Sequence, residues 1–346
     1  MPFNFCKKEG SLVWCRALAA ICWLLLISGL HYWLNIRSDN RREVLLGYMP
    51  VISNIAAPLL DYASRSGSGV RFKALKFASF AEMAEALRND QIEAAFIIAP
   101  LAIVLRQQDV DIKVVYIGNR HESTMVADKN LQVKSLDDLV GRTVAIPMRY
   151  SGHNIALLEQ LEAKGLAGRV KIVEMFPPDM AAALATGRLD AYFVGEPFAA
   201  TTLKTGDASV VFYAEDVWEN FICNLVIIKQ TMIENDPAVV ETLVRGAARS
   251  GIWANEHIGD AAAVASKYWN QPVDVIKYAM DTPKSRIVFD RYIPREEELQ
   301  KLADLMVQYK LSESKDVSGL IDDRFAKAVG FGNITDINSI FTKDSQ

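Results

Sequence analysis

The hydrophobic and polar positions of the chain divide it into short apolar runs separated by longer stretches with helical periodicity. Runs such as Val44–Tyr48 and Ala94–Ile98 are followed within two residues by proline, which is typical of buried strands. The stretch that begins at Ser79 instead places apolar residues at helical spacing. This alternation predicts an α/β fold, with a mostly parallel sheet and helices on its faces. The predicted strands are Val44–Tyr48, Val70–Phe77, Ala94–Ile98, Ile112–Ile117, Met125–Ala127, Thr143–Ile146, Val170–Val173, Asp190–Val194, Val210–Ala214 and Phe221–Ile228.

The alternation begins a second time near residue 120, and it therefore predicts two α/β units side by side. We expect the chain to cross between them near 118–123 and again near 213–223, after which a helical tail returns to the first unit. The predicted organisation is a short cytoplasmic segment at 1–16, a hydrophobic segment at 17–36, a linker at 37–43, the first part of lobe 1 at 44–118, lobe 2 at 119–215, the return of lobe 1 with the helical tail at 216–310, and a C-terminal extension at 311–346.

The N-terminal segment Ala17–Ile36 contains no Asp, Glu, Lys or Arg, and its length of about 20 residues is enough to cross a bilayer as a helix. A cleaved signal peptide needs small residues before its cleavage site, and Ile27–Gly29 fits that requirement poorly. An uncleaved anchor fits the long run better. We therefore expect a protein anchored by its N-terminus at the periplasmic or extracytoplasmic face of a bacterial inner membrane, with a cleaved signal peptide as the alternative.

Composition excludes several classes of protein. Hydrophobic residues make up 51% of the chain and charged residues 23%, so the chain is not disordered. The 38 basic and 42 acidic residues give a net charge of -4, which argues against general binding of nucleic acid. Of the four cysteines only Cys223 lies in the body. A single cysteine without metal-ligand spacing is more often buried packing than a nucleophile.

Motifs that would identify an enzyme are absent from the sequence. There is no GxGxxG after a strand, no P-loop and no GxSxG elbow. The four histidines show no HExxH spacing, and only His153 lies in a plausible site. We therefore predict a protein without catalytic residues, metal or cofactor.

Five loops after predicted strands form a candidate binding site. In α/β sheets the carboxyl ends of the strands open into ligand crevices, so polar residues in such loops are placed to meet a solute. Four of the five loops combine proline with glycine or small residues, which gives an irregular loop rather than a continued helix. The loops are Gly47–Pro50 together with Ser53, Ala99–Pro100, Pro147–His153, Gly195–Phe198 and Phe221–Asn224.

Two of these loops carry candidates with charge. Ser151 begins a helix whose free N–H groups favour an anion, and Arg149 can add a charge-assisted contact. The alternative is that Ser151 only caps this helix and that Arg149 points to water. Glu196 lies outside any predicted helix cap and can accept a hydrogen bond from an amine or ring N–H; the alternative is a surface carboxylate at the hinge. Tyr48 can stack on a ligand or belong to the core.

Five motifs occur in the order found in one family of binding proteins. They are LLGYMP, EAAFIIAP, KSLDDLVGRTVAIPMRYSGHNIALLEQL, ATGRLDAYFVGEPFAA and NLVIIKQTMIENDPAVVETLVRG. In this order they resemble the solute-binding proteins of the nitrate/sulfonate/taurine class of ABC importers, a group that includes binders of thiamine-pyrimidine precursors. The resemblance covers roughly residues 43 to 310. It implies a two-lobed type II periplasmic-binding-protein fold with a ligand cleft between the lobes, preceded here by one N-terminal hydrophobic helix.

The resemblance also implies a function and partners. Such a protein captures a small polar or anionic solute, nitrate-, sulfonate- or taurine-like, by lobe closure and delivers it to ABC permease subunits. We expect a monomer that binds a small molecule and no nucleic acid. The alternatives are a membrane-anchored ligand sensor with the same fold, or a binder of a pyrimidine or thiamine precursor. By position in the motifs and strand ends, the predicted ligand-binding residues are Tyr48, Pro50, Ser53, Pro100, Arg149, Ser151, His153, Glu196 and Asn224.

Overall fold

A computed structural model describes residues 6–32, 41–67 and 69–342 of the chain. It divides into two units, Met1–Arg41 and Arg42–Gln346, which are described separately. The first unit contains one long helix, α1 (Cys6–His31). Its stretch Trp14–His31 has a mean hydropathy of 1.5 and is long and apolar enough to cross a membrane, a criterion that an anchor and a signal sequence both meet. The end of the predicted hydrophobic run, from residue 33 to residue 36, lies outside the described residues.

The second unit contains two five-stranded sheets. The strand order of sheet 1 is β2, β1, β3, β10, β4, and that of sheet 2 is β7, β6, β8, β5, β9. Sheet 1 consists of β1 (Glu43–Tyr48), β2 (Arg71–Lys76), β3 (Ala94–Ile98), β4 (Ile112–Ile117) and β10 (Asn224–Lys229). Sheet 2 consists of β5 (Ser123–Asp128), β6 (Thr143–Ile146), β7 (Lys171–Glu174), β8 (Ala191–Gly195) and β9 (Ala208–Tyr213). Every strand predicted from the apolar runs is present, within a few residues at each end, so the predicted α/β fold is confirmed.

The sheets are mixed, whereas the sequence predicted mostly parallel ones. Strand β10 runs antiparallel to β3 and β4, and β5 runs antiparallel to β8 and β9. Each of these strands enters its sheet directly after the chain has crossed from the other sheet, so it starts at the edge where its neighbours end. Asn224 consequently pairs with Ile98 and Ser123 with Gly195. The first residues of β5 and β10 therefore join the strand ends that were predicted to form the site.

Helices cover both faces of each sheet. One core cluster packs α2, α10, α11 and α12 on sheet 1, and a second packs α3, α4 and α13 on its other face. Two smaller clusters fill the two faces of sheet 2. The helices of the second unit are α2 (Ala56–Ser64), α3 (Phe80–Arg88), α4 (Ala99–Gln107), α5 (Gly152–Ala163), α6 (Pro177–Ala185), α7 (Phe198–Thr205), α8 (Ala214–Val217), α9 (Gln230–Asn235), α10 (Pro237–Glu256), α11 (Ile258–Trp269), α12 (Val273–Asp281), α13 (Glu296–Gln308) and α14 (Arg324–Lys327), with 3-10 turns at Ile52–Asn54, Lys129–Leu131, Leu136–Leu139 and Ile337–Phe341.

The described chain passes between the sheets from β4 to β5 and from β9 to β10, and a third segment, between α12 and α13, lies beside these two crossings. Arg120 on the first crossing forms bridges with Ile222 on the second and with Val288, which lies between α12 and α13. The fully buried Arg120 guanidinium donates to the carbonyls of Asn220 and Arg291, and its Nη1 lies 2.8 Å from Glu298 Oε1. A buried charge needs a partner and hydrogen bonds, so these contacts hold the three segments together. The place where they meet, at Arg120, Ile222 and Val288, is called the hinge.

Candidate functional site

The centre of the candidate site is Ser53, on the 3-10 turn that follows β1. Its side chain is 1% exposed; the hydroxyl donates to Glu122 Oε1 at 3.1 Å and accepts from Asn224 Nδ2 at 2.9 Å. Asn224 Nδ2 also donates to Asn54 Oδ1 at 2.9 Å. A Cβ at Gly118 would come within 1.9 Å of the Ser53 carbonyl oxygen, so the close approach of the first crossing to this turn requires glycine.

Glu122 is a central residue that the sequence reasoning missed. It lies at the end of the first crossing, is fully buried, and accepts from the backbone N–H of Glu196 through Oε2 at 2.7 Å. A Cβ at Gly195 would meet Glu122 Oε1 at 2.8 Å, so the loop after β8 is shaped around this carboxyl. Burial raises the pKa of Glu122 to about 7, and the nearby charge of Glu196 acts in the same direction.

Glu196 connects the loop after β8 to both sides of the site. Its carboxyl accepts from Thr124 Oγ1 at 2.6 Å and from the backbone N–H of Ala200 at 2.8 Å. Its carbonyl oxygen accepts from the backbone N–H of Ile52 at 2.8 Å, which joins the β8 loop to the β1 loop. Burial raises the pKa of Glu196, while Arg286 opposes that change. The expectation that Glu196 caps no helix was wrong, because its bond to Ala200 satisfies a free N–H in the first turn of α7.

Ser151 and His153 lie at the start of α5. Ser151 Oγ accepts from Asn154 N at 3.2 Å, so it forms the predicted N-cap of this helix. His153 Nε2 lies 2.9 Å from Ser123 Oγ, and its ring packs edge-on against Phe193. Burial lowers the pKa of His153 to about 3, so the ring is neutral and supplies hydrogen bonds rather than positive charge. Its Nδ1 has no hydrogen-bond partner among the described residues.

Positive charge comes from Arg286, which the sequence reasoning also missed. This residue lies on the irregular segment after α12, and its side chain is 5% exposed. It donates to the Ser123 carbonyl at 3.2 Å and to Thr124 Oγ1 at 3.3 Å, and it stacks over the Tyr213 ring with 4.4 Å to the ring centroid. Arg286 therefore faces the same strand end as the Glu196 carboxyl, because Thr124 contacts both residues.

Cys223 borders this polar cluster without the properties of a nucleophile. Its Sγ lies 4.0 Å from His153 Nε2, and burial, with Glu122 nearby, raises the pKa of the thiol well above its usual value. A neutral thiol beside a neutral imidazole is not activated for attack. Among the described residues, no group of three or more His, Cys, Asp or Glu side chains has an arrangement that could hold a metal ion.

Four predicted residues lie outside the polar cluster. Tyr48 is packed in the core of sheet 1 with its hydroxyl 3.5 Å from the Tyr268 carbonyl, because on β1 it points to the same side as the buried Val44 and Leu46. Arg149 is 62% exposed and pairs with Glu174 at the end of β7, with 2.8 Å between Nε and Oε1. Pro100 is buried in the first turn of α4. Pro50 lines a groove beside the cluster.

The structure thus brings Ser53, His153, Glu196 and Asn224 together with Glu122, Thr124 and Arg286 at the facing ends of the two sheets, and Ser151 caps the helix that carries His153. A polar run of six residues from position 119 to position 124, where the chain was expected to cross, was the available signal for Glu122 and Thr124. Arg286 ends a similar run, DTPKSR, but it follows a helix and not a predicted strand, so the strand-end rule did not select it.

Most of the chain matches a known protein family. The model of the NMT1-like family matches residues 38–268. The taurine-binding periplasmic protein of Escherichia coli is 27% identical over 190 residues, which span 54% of this chain and only 58% of that protein. A Bacillus subtilis relative named as an aliphatic sulfonates-binding protein is 21% identical over 75% of this chain and 78% of its own length.

A solved structure is similar over most of the chain. The ligand-binding component of an ABC-type import system from Staphylococcus aureus superposes with a TM-score of 0.76 at 20% sequence identity, covering 84% of this chain and 100% of that one. At this identity the likeness concerns the fold alone. It confirms that the two sheets form the fold of periplasmic binding proteins, as the sequence motifs implied.

Proposed function

The chain belongs to the NMT1-like family, and from that premise we propose that it is the solute-binding component of an ABC importer. In this proposal it captures one small polar solute between two lobes by closure, catalyses no reaction, and delivers the solute to permease subunits in the membrane. Lobe 1 comprises 44–118 and 216–310, and lobe 2 comprises 119–215. The separation of the strands into two sheets at these positions supports that division.

The observation that carries the proposal is the buried polar cluster at the facing strand ends. Ser53, Asn224, Glu122 and Glu196 are each at most 3% exposed, yet all are polar and come from both sheets and the crossing between them. A protein gains little stability by burying so many polar groups, which are more often retained for binding or catalysis. The Ile52–Glu196 backbone bond, which links loops from the two sheets, is the kind of contact that opens when lobes separate.

The charges of the cluster favour a solute with both an amine and an anionic group. The buried carboxyls of Glu122 and Glu196 are accompanied by a neutral His153 and by the Arg286 guanidinium, which also lies 3.7 Å from Glu215 Oε2. The carboxyls accept N–H groups of a protonated amine, and Arg286 attracts the anionic end. A taurine-like zwitterion satisfies both. A plain anion such as nitrate would offer neither carboxyl an N–H donor.

Two more buried groups add hydrogen-bonding capacity for such a solute. The Asn119 side chain is fully buried, and neither of its amide atoms has a hydrogen-bond partner among the described residues. His153 Nδ1 has none either. Unpartnered buried polar atoms are rare in proteins because each costs free energy, and polar groups of a bound solute would satisfy them.

The N-terminal helix α1 serves in this proposal as an uncleaved anchor at the extracytoplasmic face of the inner membrane. Its apolar stretch Trp14–His31 supports this assignment. Membrane fractionation with N-terminal sequencing of the mature protein tests it: an intact N-terminus in the membrane fraction is expected. A soluble product that begins after residue 31 would overturn the anchor and leave the binding function in place.

Binding measurements test the proposed function. The full chain in lipid nanodiscs is titrated by calorimetry with taurine, alkanesulfonates, nitrate, amino acids and pyrimidines, and the recovered solute is analysed for turnover. We expect a taurine-like zwitterion to bind unchanged, and Ser53→Ala and Glu196→Ala to abolish binding. Glu85→Ala, an exposed carboxylate on α3, is the matched control. Binding of wild-type strength in both cluster variants would contradict the site, and turnover of the solute would contradict the function.

A further inference from the structure

We propose that two polar contacts outside the polar cluster hold the lobes closed and thereby set the affinity for the solute. The first joins Glu162 at the end of α5 to Gln308 and Tyr309 at the end of α13. The second joins Lys204 on α7 to Asp274 on α12. We call them the closure contacts. The inference rests on the proposed function, because it concerns the closure by which the protein captures its solute.

Helices α12 and α13 connect lobe 1 to lobe 2 on two sides. Helix α12 packs on one face of sheet 1 and α13 on the other, and the third hinge segment lies between them along the chain. Helix α12 also contacts α7 of lobe 2, and α13 contacts α5 of lobe 2. Lobe 1 therefore touches the helices of lobe 2 with one helix from each face of its sheet.

The first closure contact combines hydrogen bonds with apolar packing. Glu162 Oε2 accepts from Gln308 Nε2 at 2.7 Å and from the Tyr309 hydroxyl at 2.8 Å. Burial and the neighbouring Glu162 carboxylate raise the pKa of Tyr309, so its hydroxyl stays protonated and donates. Ile155, two turns earlier on α5, is fully buried in the core cluster that also contains Leu302 of α13.

The second closure contact is built in the same way. Lys204 Nζ lies 2.8 Å from Asp274 Oδ2 and 5.7 Å from the centroid of the Tyr278 ring. The hydrogen bond from Lys204 lowers the pKa of Asp274, so the pair is charged at neutral pH. Ala200, one turn earlier on α7, is fully buried in the core cluster that also contains Ile276 of α12.

Helices α5 and α7 connect the closure contacts to the polar cluster. His153 lies in the first turn of α5, and the rise of the helix places it about 14 Å from Glu162. On α7 the backbone N–H of Ala200 donates to the Glu196 carboxyl, four residues before Lys204. Because a helix is a rigid element, docking its far end on lobe 1 also fixes the group that it presents to the solute.

The first contact lies far enough from the hinge to break when the lobes open. Tyr309 follows Glu298, which pairs with Arg120 at the hinge, by about 16 Å along α13. A lobe rotation of about 15° moves a group at that distance by about 4 Å, which no hydrogen bond survives. A contact that exists only in the closed form raises the closed fraction, and solute affinity rises with that fraction.

Alanine variants of the full chain in nanodiscs test the proposal by calorimetry with taurine, ethanesulfonate and nitrate. Glu162→Ala should lower the affinity for each probe that the wild type binds by about fivefold, the effect of a strong exposed contact. Lys204→Ala should lower it by a smaller factor, because Asp274 is 69% exposed. The double variant should show the product of the two factors, since the contacts share no residue.

Stopped-flow kinetics separate closure from general damage to the fold. The closure contacts form after the solute has entered, so Glu162→Ala should raise the dissociation rate constant about fivefold and leave the association rate constant unchanged. Lys164→Ala is the matched control. It removes an ion pair with Asp137, 3.0 Å long, at the same end of α5, but both partners belong to lobe 2. Both rate constants should stay at their wild-type values in this control.

Each outcome decides the question. Faster dissociation with unchanged association in Glu162→Ala, and no change in Lys164→Ala, supports the closure contacts. Wild-type affinity in the double variant overturns them and leaves the proposed function standing. Affinity lost through slower association also overturns them, because the contact then acts on solute entry. Absence of binding of all three probes by the wild type overturns the proposed function, and the closure contacts with it.

Discussion

Replacing Glu122 with glutamine should change the pH dependence of folding in a defined way. Glutamine keeps the shape of the side chain and can still accept from Glu196 N and contact Ser53, two of the hydrogen-bond partners of the carboxyl. What the substitution removes is ionisation. Any change in stability that grows with pH therefore reports the cost of charging this buried group.

The magnitude follows from the pKa of Glu122, which burial raises from 4.5 to about 7. The native state holds a proton that the unfolded chain releases between these values, so the free energy of unfolding falls as pH rises from 4.5 to 7. Below pH 4.5 Glu122 is protonated in both the native and the unfolded state, so its ionisation does not reduce the free energy of unfolding. Above 7 the full difference applies, about 3 kcal/mol at roughly 1.36 kcal/mol for each pKa unit. Glu122→Gln should therefore be as stable as wild type at pH 4.5 and about 3 kcal/mol more stable at pH 8.

Urea unfolding of the full chain in a nonionic detergent, followed by circular dichroism between pH 4.5 and 8, measures this difference. Glu85→Gln, the same exchange on the exposed face of α3, controls for the chemistry of the substitution. A stability difference between Glu122→Gln and wild type that stays constant with pH, or that favours wild type at pH 8, would refute the reasoning, since Glu122 would then be ionised at no cost.

Two further substitutions test how the site is built. Arg149→Ala should leave solute affinity unchanged and alter the free energy of unfolding by less than about 1 kcal/mol, because its exposed pair with Glu174 lies away from the cluster. Calorimetry measures the affinity and urea unfolding the stability. A loss of affinity would show that Arg149 belongs to the binding site. Gly118→Ala should destabilise the fold by about 1–3 kcal/mol and weaken solute binding, because the new Cβ collides with the Ser53 carbonyl oxygen. The same two measurements check this, and unchanged affinity would show that binding does not depend on the position of Ser53.

One local rule accounts for the predicted residues that the structure places in the polar cluster. Ser53, Glu196 and Asn224 were predicted because each follows or begins a strand at the ligand edge of a sheet, a rule that needs only the strand boundaries. The same rule selected Tyr48 and Arg149, which the structure places outside the cluster. For Tyr48 the side-chain alternation of β1 decides, since it points with Val44 and Leu46 into the core.

For Arg149 the deciding fact is the pairing of β6 with β7. That pairing places Glu174 opposite Ile146, and Arg149 then forms its ion pair with Glu174. The folded sheet determines which strands become neighbours, and the residue pattern of either strand alone does not predict it. The exposed position of Arg149 could therefore be read only from the structure.

The residues that escaped prediction share one physical cause. Glu122 and Arg286 lie on connecting segments, where polar residues are normally solvated, and both become buried only because three such segments meet at the hinge. Arg286 reaches Thr124 from a point more than 160 positions further along the chain, so no window of sequence contains both. The cation and one of the two acids of the cluster thus owe their burial to the tertiary fold, in which the Arg120–Glu298 pair and the bonds of Arg120 to Asn220 and Arg291 hold the connecting segments side by side.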